Sequence, residues 1–176
     1  MAQQTIQNPI LKRIEDGIEA KIPPGSRQQY MAIVVSGMQI MFSPATRHML
    51  MQKIQQPGDI VTKVSSGIAQ LVGTIYNQSQ GKMSVPEAVP AAITLAMQVL
   101  DFAERSKAID TVTTDVAAQV VQATAQAVLK LFGIGRAKVQ EVMAARQGAQ
   151  MPSGAQSAPG AVQPPPVATA AQPGAQ

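Results

Sequence analysis

Few side chains in this sequence could do chemistry, and the first of them is His48, the single histidine. An imidazole that works as a general acid, a base or a metal ligand needs an acidic, cysteine or second histidine neighbour. The surrounding run PATRHMLMQKI supplies none, so His48 reads as a surface or capping residue. The absence of cysteine removes thiolate nucleophiles, disulfides and thiolate zinc sites, and is compatible with any compartment. The acids are few, and most sit where a helix would want them. Asp59, Glu87 and Asp110 stand near amino ends, while Glu15, Asp16 and Glu19 lie among basic neighbours. There is no HExxH, CxxC, GxSxG or Walker-type glycine loop. Gly133-Ile134-Gly135-Arg136 could receive a phosphate between two helices, although a helix hinge is the commoner use of such glycines. Lys130, Arg136, Lys138 and Arg146, opposed only by Glu141, make the one basic patch. It could give weak, non-specific contact with DNA or with lipid headgroups; more often such a run is a solvated face. These residue types point away from an enzyme, with no catalytic group, cofactor or metal expected.

Composition turns attention from chemistry to association. Charged residues make up 14% of the chain, against roughly a quarter in ordinary globular domains. So little charge protects a monomer poorly against self-association, which makes association the simplest inference. Aromatics are 3% and tryptophan is absent, whereas there are 10 methionines, so packing must rely on adaptable thioethers and on small residues that let helices approach. The net charge of +4 is modest and spread out. The first residues, MAQQTIQNPILKRIEDG, lack the basic-then-apolar order of a signal peptide, and no run reaches 18 apolar residues. A chain made soluble in the cytoplasm is expected.

The elements that must position these groups read as helices. Asn8 and Pro9 start the first, with Ile10, Ile14 and Ile18 on one face, and Pro23, Pro24 and Gly25 end it. Ser26 with Gln29 resembles a capping box opening residues 30–42, a segment apolar nearly all round that belongs in a core. Its β-branched run Ile33, Val34, Val35 leaves a buried strand as the alternative. Ser43 and Pro44 open a third helix, broken at Pro57 and Gly58, and Asp59 caps a fourth. On that helix Lys63, Ser66, Gln70, Thr74 and Asn77 form one narrow polar stripe, and Gly67 and Gly73 make sense only where another helix packs closely. Ser84 with Glu87 gives a second capping box; Pro90 is expected to kink that helix or delay its start. Glu87, Thr94, Gln98, Asp101 and Arg105 make the second stripe. Asp110 can cap residues 111–132, the stretch around which the sequence reads as organised, roughly 33 Å long if one helix. Its stripe is Thr111, Asp115, Gln119, Gln122, Gln126 and Lys130. Whether residues 87–132 form one bent helix or a hairpin stays open. Residues 136–146 would be a short basic helix.

The fold class is therefore all-α, with six to seven elongated or bundled helices. Residues 1–146 form an assembly domain, and residues 147–176, rich in Pro, Ala and Gln and without a charged side chain, form a disordered or extended tail. Three stripes in succession, each near a quarter of the circumference and accompanied by small neutral residues, favour burial in an assembly, since a plain bundle exposes a wider and more charged face. In a ring, Asp115, Gln119, Gln122, Gln126 and Lys130, or the matching Lys63, Ser66, Gln70 and Thr74, would face the lumen or an interface.

The segment YMAIVVSGMQIMFSPATRHML, residues 30–50, resembles virion structural proteins of tailed bacteriophages. The Ala, Gln and Val rich second half with its Gly, Pro and Ala tail is similar in style to the small internal or ejection proteins of short-tailed phages. That resemblance implies a homo-oligomeric structural component packaged near the portal, with the portal and further ejection proteins as partners. It would be made in the host cytoplasm, carried in the virion, and expelled to form a conduit across the host envelope for genome delivery, in contact with the host membrane. Two other classes fit the same composition: a phasin-like amphipathic coat on a lipid or polymer granule, and a helical scaffold or adaptor holding a partner helix in a groove.

Overall fold

Helix starts follow the local chemistry of the sequence. Asn8 caps α1 (Pro9–Glu19), its Oδ1 accepting from the backbone N–H of Ile10 at 2.9 Å and Leu11 at 3.4 Å. Ser43 caps α3 (Pro44–Gln55) through Thr46 N–H. Asp59 caps α4 (Ile60–Gln78) through Val61 and Thr62. In each case the side-chain oxygen satisfies donors that the first turn leaves unpaired.

Three expected starts are corrected. The helix α2 (Pro24–Met41) begins two residues before the expected cap and has no side-chain cap. Ser26 donates its hydroxyl to Glu87 and Gln29 donates to the Lys82 carbonyl, so the capping box gives way to contacts with a distant segment. The helix α5 (Val85–Arg105) runs unbroken through Pro90, close enough to the amino end that little of the hydrogen-bond ladder is lost. Thr113, not Asp110, caps α6 (Thr114–Leu131), leaving Asp110 and Thr111 in the connection. Residues 87–132 are thus two packed helices joined by a loop.

The computed structural model describes residues 5–134, of which 76% are helical with no strand among them. The all-α class is therefore shown, with six helices among the described residues. The helix expected over 136–146, the boundary at 146/147 and the tail at 147–176 lie outside those residues.

The centre of this unit is α5, and not the later stretch that the sequence singled out. Residues 91–103 are buried without interruption, and α1, α2, α4 and α6 all pack on it. Alanines make this crowding feasible: Ala88, Ala91, Ala92, Ala96 and Ala103 are all fully buried, which lets several helix backbones approach one rod. Among the described residues α5 alone has the length and apolarity of a membrane span, and 78% of that window is buried inside the protein. The segment at 30–42, expected in the core, lies instead on its flank. Tyr30, Ile33, Gly37 and Met41 face inward while Val35 is 43% exposed. A Cβ on Gly37 would sit 2.5 Å from Leu95 Cδ1, so this glycine marks where α2 crosses α5. Of the two glycines expected at close crossings, Gly73 has one, against Leu131, and Gly67 has none.

All five aromatic rings bridge two elements. Tyr30 bonds Thr94 across α2 and α5, Phe42 meets Phe102 edge-on at 5.3 Å, and Tyr76 meets Phe132 at 5.1 Å. The Arg47 guanidinium, 5.2 Å above the Phe102 ring, ties α3 to the same corner.

Three helices end alike. After α4, α5 and α6 the chain turns through a residue of positive φ, and the next N–H returns to a carbonyl five residues back: Gly81 to Tyr76, Ala108 to Ala103, and Ile134 to Leu129. Gly133 fills this role in α6 at φ 73°, but Lys107 does so in α5 at φ 54° against the preference of any side chain. Replacing Lys107 by Gly is expected to raise the unfolding free energy by about 0.5–1 kcal/mol, read from the urea midpoint at constant slope. No gain would mean that the lysine has a compensating contact.

Candidate assembly interface

The three polar stripes turn out to face different environments. On α5 the stripe is internal: Glu87, Thr94, Gln98 and Asp101 are each at least nine-tenths buried. Each has a partner within the chain. Glu87 accepts from the Ser26 and Ser84 hydroxyls, Thr94 shares a 2.9 Å bond with the Tyr30 hydroxyl, and Gln98 Nε2 donates to Glu15 Oε1 at 2.8 Å. Asp101 is the most heavily used. Its Oδ1 accepts from the backbone N–H of Gln7 at 2.8 Å and of Asn8 at 3.0 Å, and its Oδ2 lies 2.9 Å from Arg105 Nε. Asn8 in turn donates its side-chain amide to Glu104. Three polar stripes had suggested three faces turned to an assembly; this one is instead the seam that ties α1 and α2 to the central helix.

The other two stripes face outward. On α6, Asp115, Gln119, Gln122, Gln126 and Lys130 are all exposed, opposite the buried Ala117, Val120, Thr124 and Val128. On α4, Ser66, Gln70 and Thr74 are exposed, opposite Val64, Ile68, Leu71, Val72 and Ile75. Lys63 departs from the group: its ammonium bends back to the carbonyls of Ile54 and Gln56 and closes the end of α3. Because α4 and α6 pack side by side, their stripes lie on neighbouring helices that both present amides and hydroxyls away from the core. The charges of the α6 stripe stand at its ends, Asp115 in the first turn and Lys130 in the last, where the helix dipole favours each sign. Between them the face is neutral.

The remaining candidates do not gather into a second site among the described residues. His48 is exposed on α3, with the Gln52 amide 3.1 Å from its Nε2, and no group of three His, Asp or Glu gathers among the described residues. The N–H groups of Gly133 and Ile134 are bonded to the helix carbonyls of Lys130 and Leu129, and Gly135 and Arg136, the other half of that candidate, lie outside the described residues. Of the basic patch, Lys130 is exposed on α6, while Arg136, Lys138 and Arg146 lie outside the described residues. Sequence reasoning missed Asn8 and Glu15 as partners of α5, since nothing local marks a contact more than 80 residues away.

The seam carries the electrostatics. Burial pushes the Glu15 carboxyl above its ordinary value of 4.5, with the Gln98 amide pulling the other way. Between those two values the folded chain holds more protons than the unfolded one, so this group's contribution to stability falls as pH rises through the window. Asp59 has the opposite sign. The Thr62 hydroxyl and the Thr62 and Val61 N–H groups hold it below its ordinary value, and its contribution is lost as pH falls. Glu15→Gln should therefore be more stable than the parent near neutrality, with the difference shrinking as thermal melts are taken below the ordinary glutamate range. A difference independent of pH would contradict the buried-carboxyl account. Asp101→Ala orphans the buried N–H of Asn8 and the part-buried N–H of Gln7 and removes the ion pair with Arg105, and should cost about 3–5 kcal/mol, and Asp101→Asn, which keeps an acceptor, about half that, by urea unfolding. Losses below 1 kcal/mol for both would show that the seam is not holding α1. No protein-family model, curated protein or solved structure matches the chain.

Proposed function

We propose that the chain is a non-catalytic structural protein that assembles with copies of itself through the outer face of α4 and α6. The observation that carries this reading is the neutrality of that face: Ser66, Gln70, Thr74, Gln119 and Gln122 are exposed on two packed helices, with charge confined to Asp115 and Lys130. Amides and hydroxyls at such density can be satisfied equally by water or by the same groups on another copy, which gives an interface with no charge to desolvate. The resemblance of residues 30–50 to virion proteins of tailed phages gives this assembly its setting: a component near the portal, expelled with other ejection proteins into a conduit, where the stripes would line the lumen or the joints between copies. A granule coat finds less support, because the apolar sides of α4, α5 and α6 are consumed by the protein's own core.

Sedimentation velocity tests the reading. The full chain is expected to sediment well above its 18.5 kDa monomer mass, in a concentration-dependent way. The triple variant Gln70→Glu, Gln119→Glu, Gln122→Glu should return it to monomer with its helix content intact, since like charges would face each other across the joint. A parent that stays monomeric with and without lipid would overturn the proposal.

A further inference from the structure

A cavity of about 130 Å³ lies between α2, α3 and α4, with Val99 of α5 at its floor. Its wall is aliphatic, built by Ile40, Leu50, Ile54, Val64 and Ile68 among others. The polar residues that line it are Thr46, Lys53 and Lys63, and no acidic side chain lines it among the described residues. The ammonium of Lys63 is committed to the carbonyls of Ile54 and Gln56, which fixes one positive charge beside the cavity. Lys53, exposed on α3, makes no ion pair among the described residues.

Gly67 gives an independent indication. A glycine in the interior of a helix weakens it, and in α4 no neighbouring helix requires one, because a Cβ there would meet nothing within 4 Å. Gly67 lines the cavity, so the missing side chain leaves its volume to that space. An apolar cavity of roughly 150 Å³ stays dry and admits benzene, so the volume here suits one six-carbon body.

We propose that this cavity binds a small carboxylate with a six-carbon apolar body, an aliphatic chain or a ring, seated against Val64, Ile68 and Val99 with its head at Lys53. The aliphatic wall supplies affinity, and Lys53, which makes no ion pair among the described residues, selects an anion over a neutral or cationic molecule of the same shape. This reading does not depend on self-assembly.

The test is titration of the full-length, isotopically labelled chain with hexanoate, benzoate and 1-hexanol, followed by amide chemical shifts. Saturable shifts are expected at Leu50, Gly67 and Val99 with either carboxylate. Gly67→Leu fills the cavity and should abolish these shifts while leaving the far-UV spectrum unchanged. Lys53→Gln should weaken both carboxylates about fivefold, the effect of losing one exposed ion pair, and leave 1-hexanol unaltered. Shifts elsewhere, retention of binding in a folded Gly67→Leu, or equal weakening of acid and alcohol by Lys53→Gln would each overturn the proposal. Should Gly67→Leu fail to fold, the location of the shifts in the parent and the Lys53→Gln comparison still decide it.

Discussion

A carboxylate with almost no access to water governs how this protein is put together. Asp101 is 1% exposed, in the middle of the apolar helix α5, and a charge in that position is tolerable only if its oxygens are fully engaged. The N-terminal segment supplies two backbone N–H groups and Arg105 supplies a guanidinium. The carboxylate therefore dictates where residues 7 and 8 must lie, and Asn8, held there, starts α1. Further along the same face of α5, Gln98, Thr94 and Glu87 fix Glu15, Tyr30 and Ser26 in turn. Apolar burial provides the driving force, but it is nearly indifferent to rotation about α5, and the alanine-rich surface offers few shapes to key against. Polar pairs supply the missing register.

The seam is not wholly satisfied. Gln98 Oε1 is buried without a hydrogen-bond partner among the described residues, and Asp101 Oδ2 has only its ion pair with Arg105; outside the seam, Thr124 Oγ1 on α6 is likewise buried without a partner. The Gln98 amide spends its Nε2 on Glu15, which leaves the oxygen of the same amide unmatched.

Local features were legible in the sequence, and distant partners were not. Asn8, Ser43 and Asp59 cap their helices because a cap needs only the two or three residues that follow it. The all-α class follows from periodicity of the same short range. The position of α5 could not be read in the same way: Glu87, Thr94, Gln98 and Asp101 have the spacing of a solvent stripe, and Gln70, Thr74, Gln119 and Gln122, with the same types and spacing, are exposed. What separates the two sets is a partner lying 61 to 94 residues away in the seam. Glycines were ambiguous for a related reason. A bare Cα reports that a side chain is missing, and only the fold tells whether a neighbour fills the gap, as Leu95 does at Gly37, or nothing does, as at Gly67. For the candidate interface, the sequence identified the outward residues of α4 and α6 but not the diversion of Lys63 to the end of α3.

The bond between Gln7 and Asp101 spans 94 positions of sequence. During synthesis the first helix leaves the ribosome while its anchor is still unmade, and at roughly 5–20 residues per second the wait lasts many seconds. Throughout that interval Ile10, Leu11, Ile14 and Ile18 have no α5 on which to rest. Nascent α1 thus carries its apolar face unpaired for that interval, and Lys12, Arg13, Glu15, Asp16 and Glu19, interspersed among those apolar residues, are charges of the kind that oppose premature aggregation.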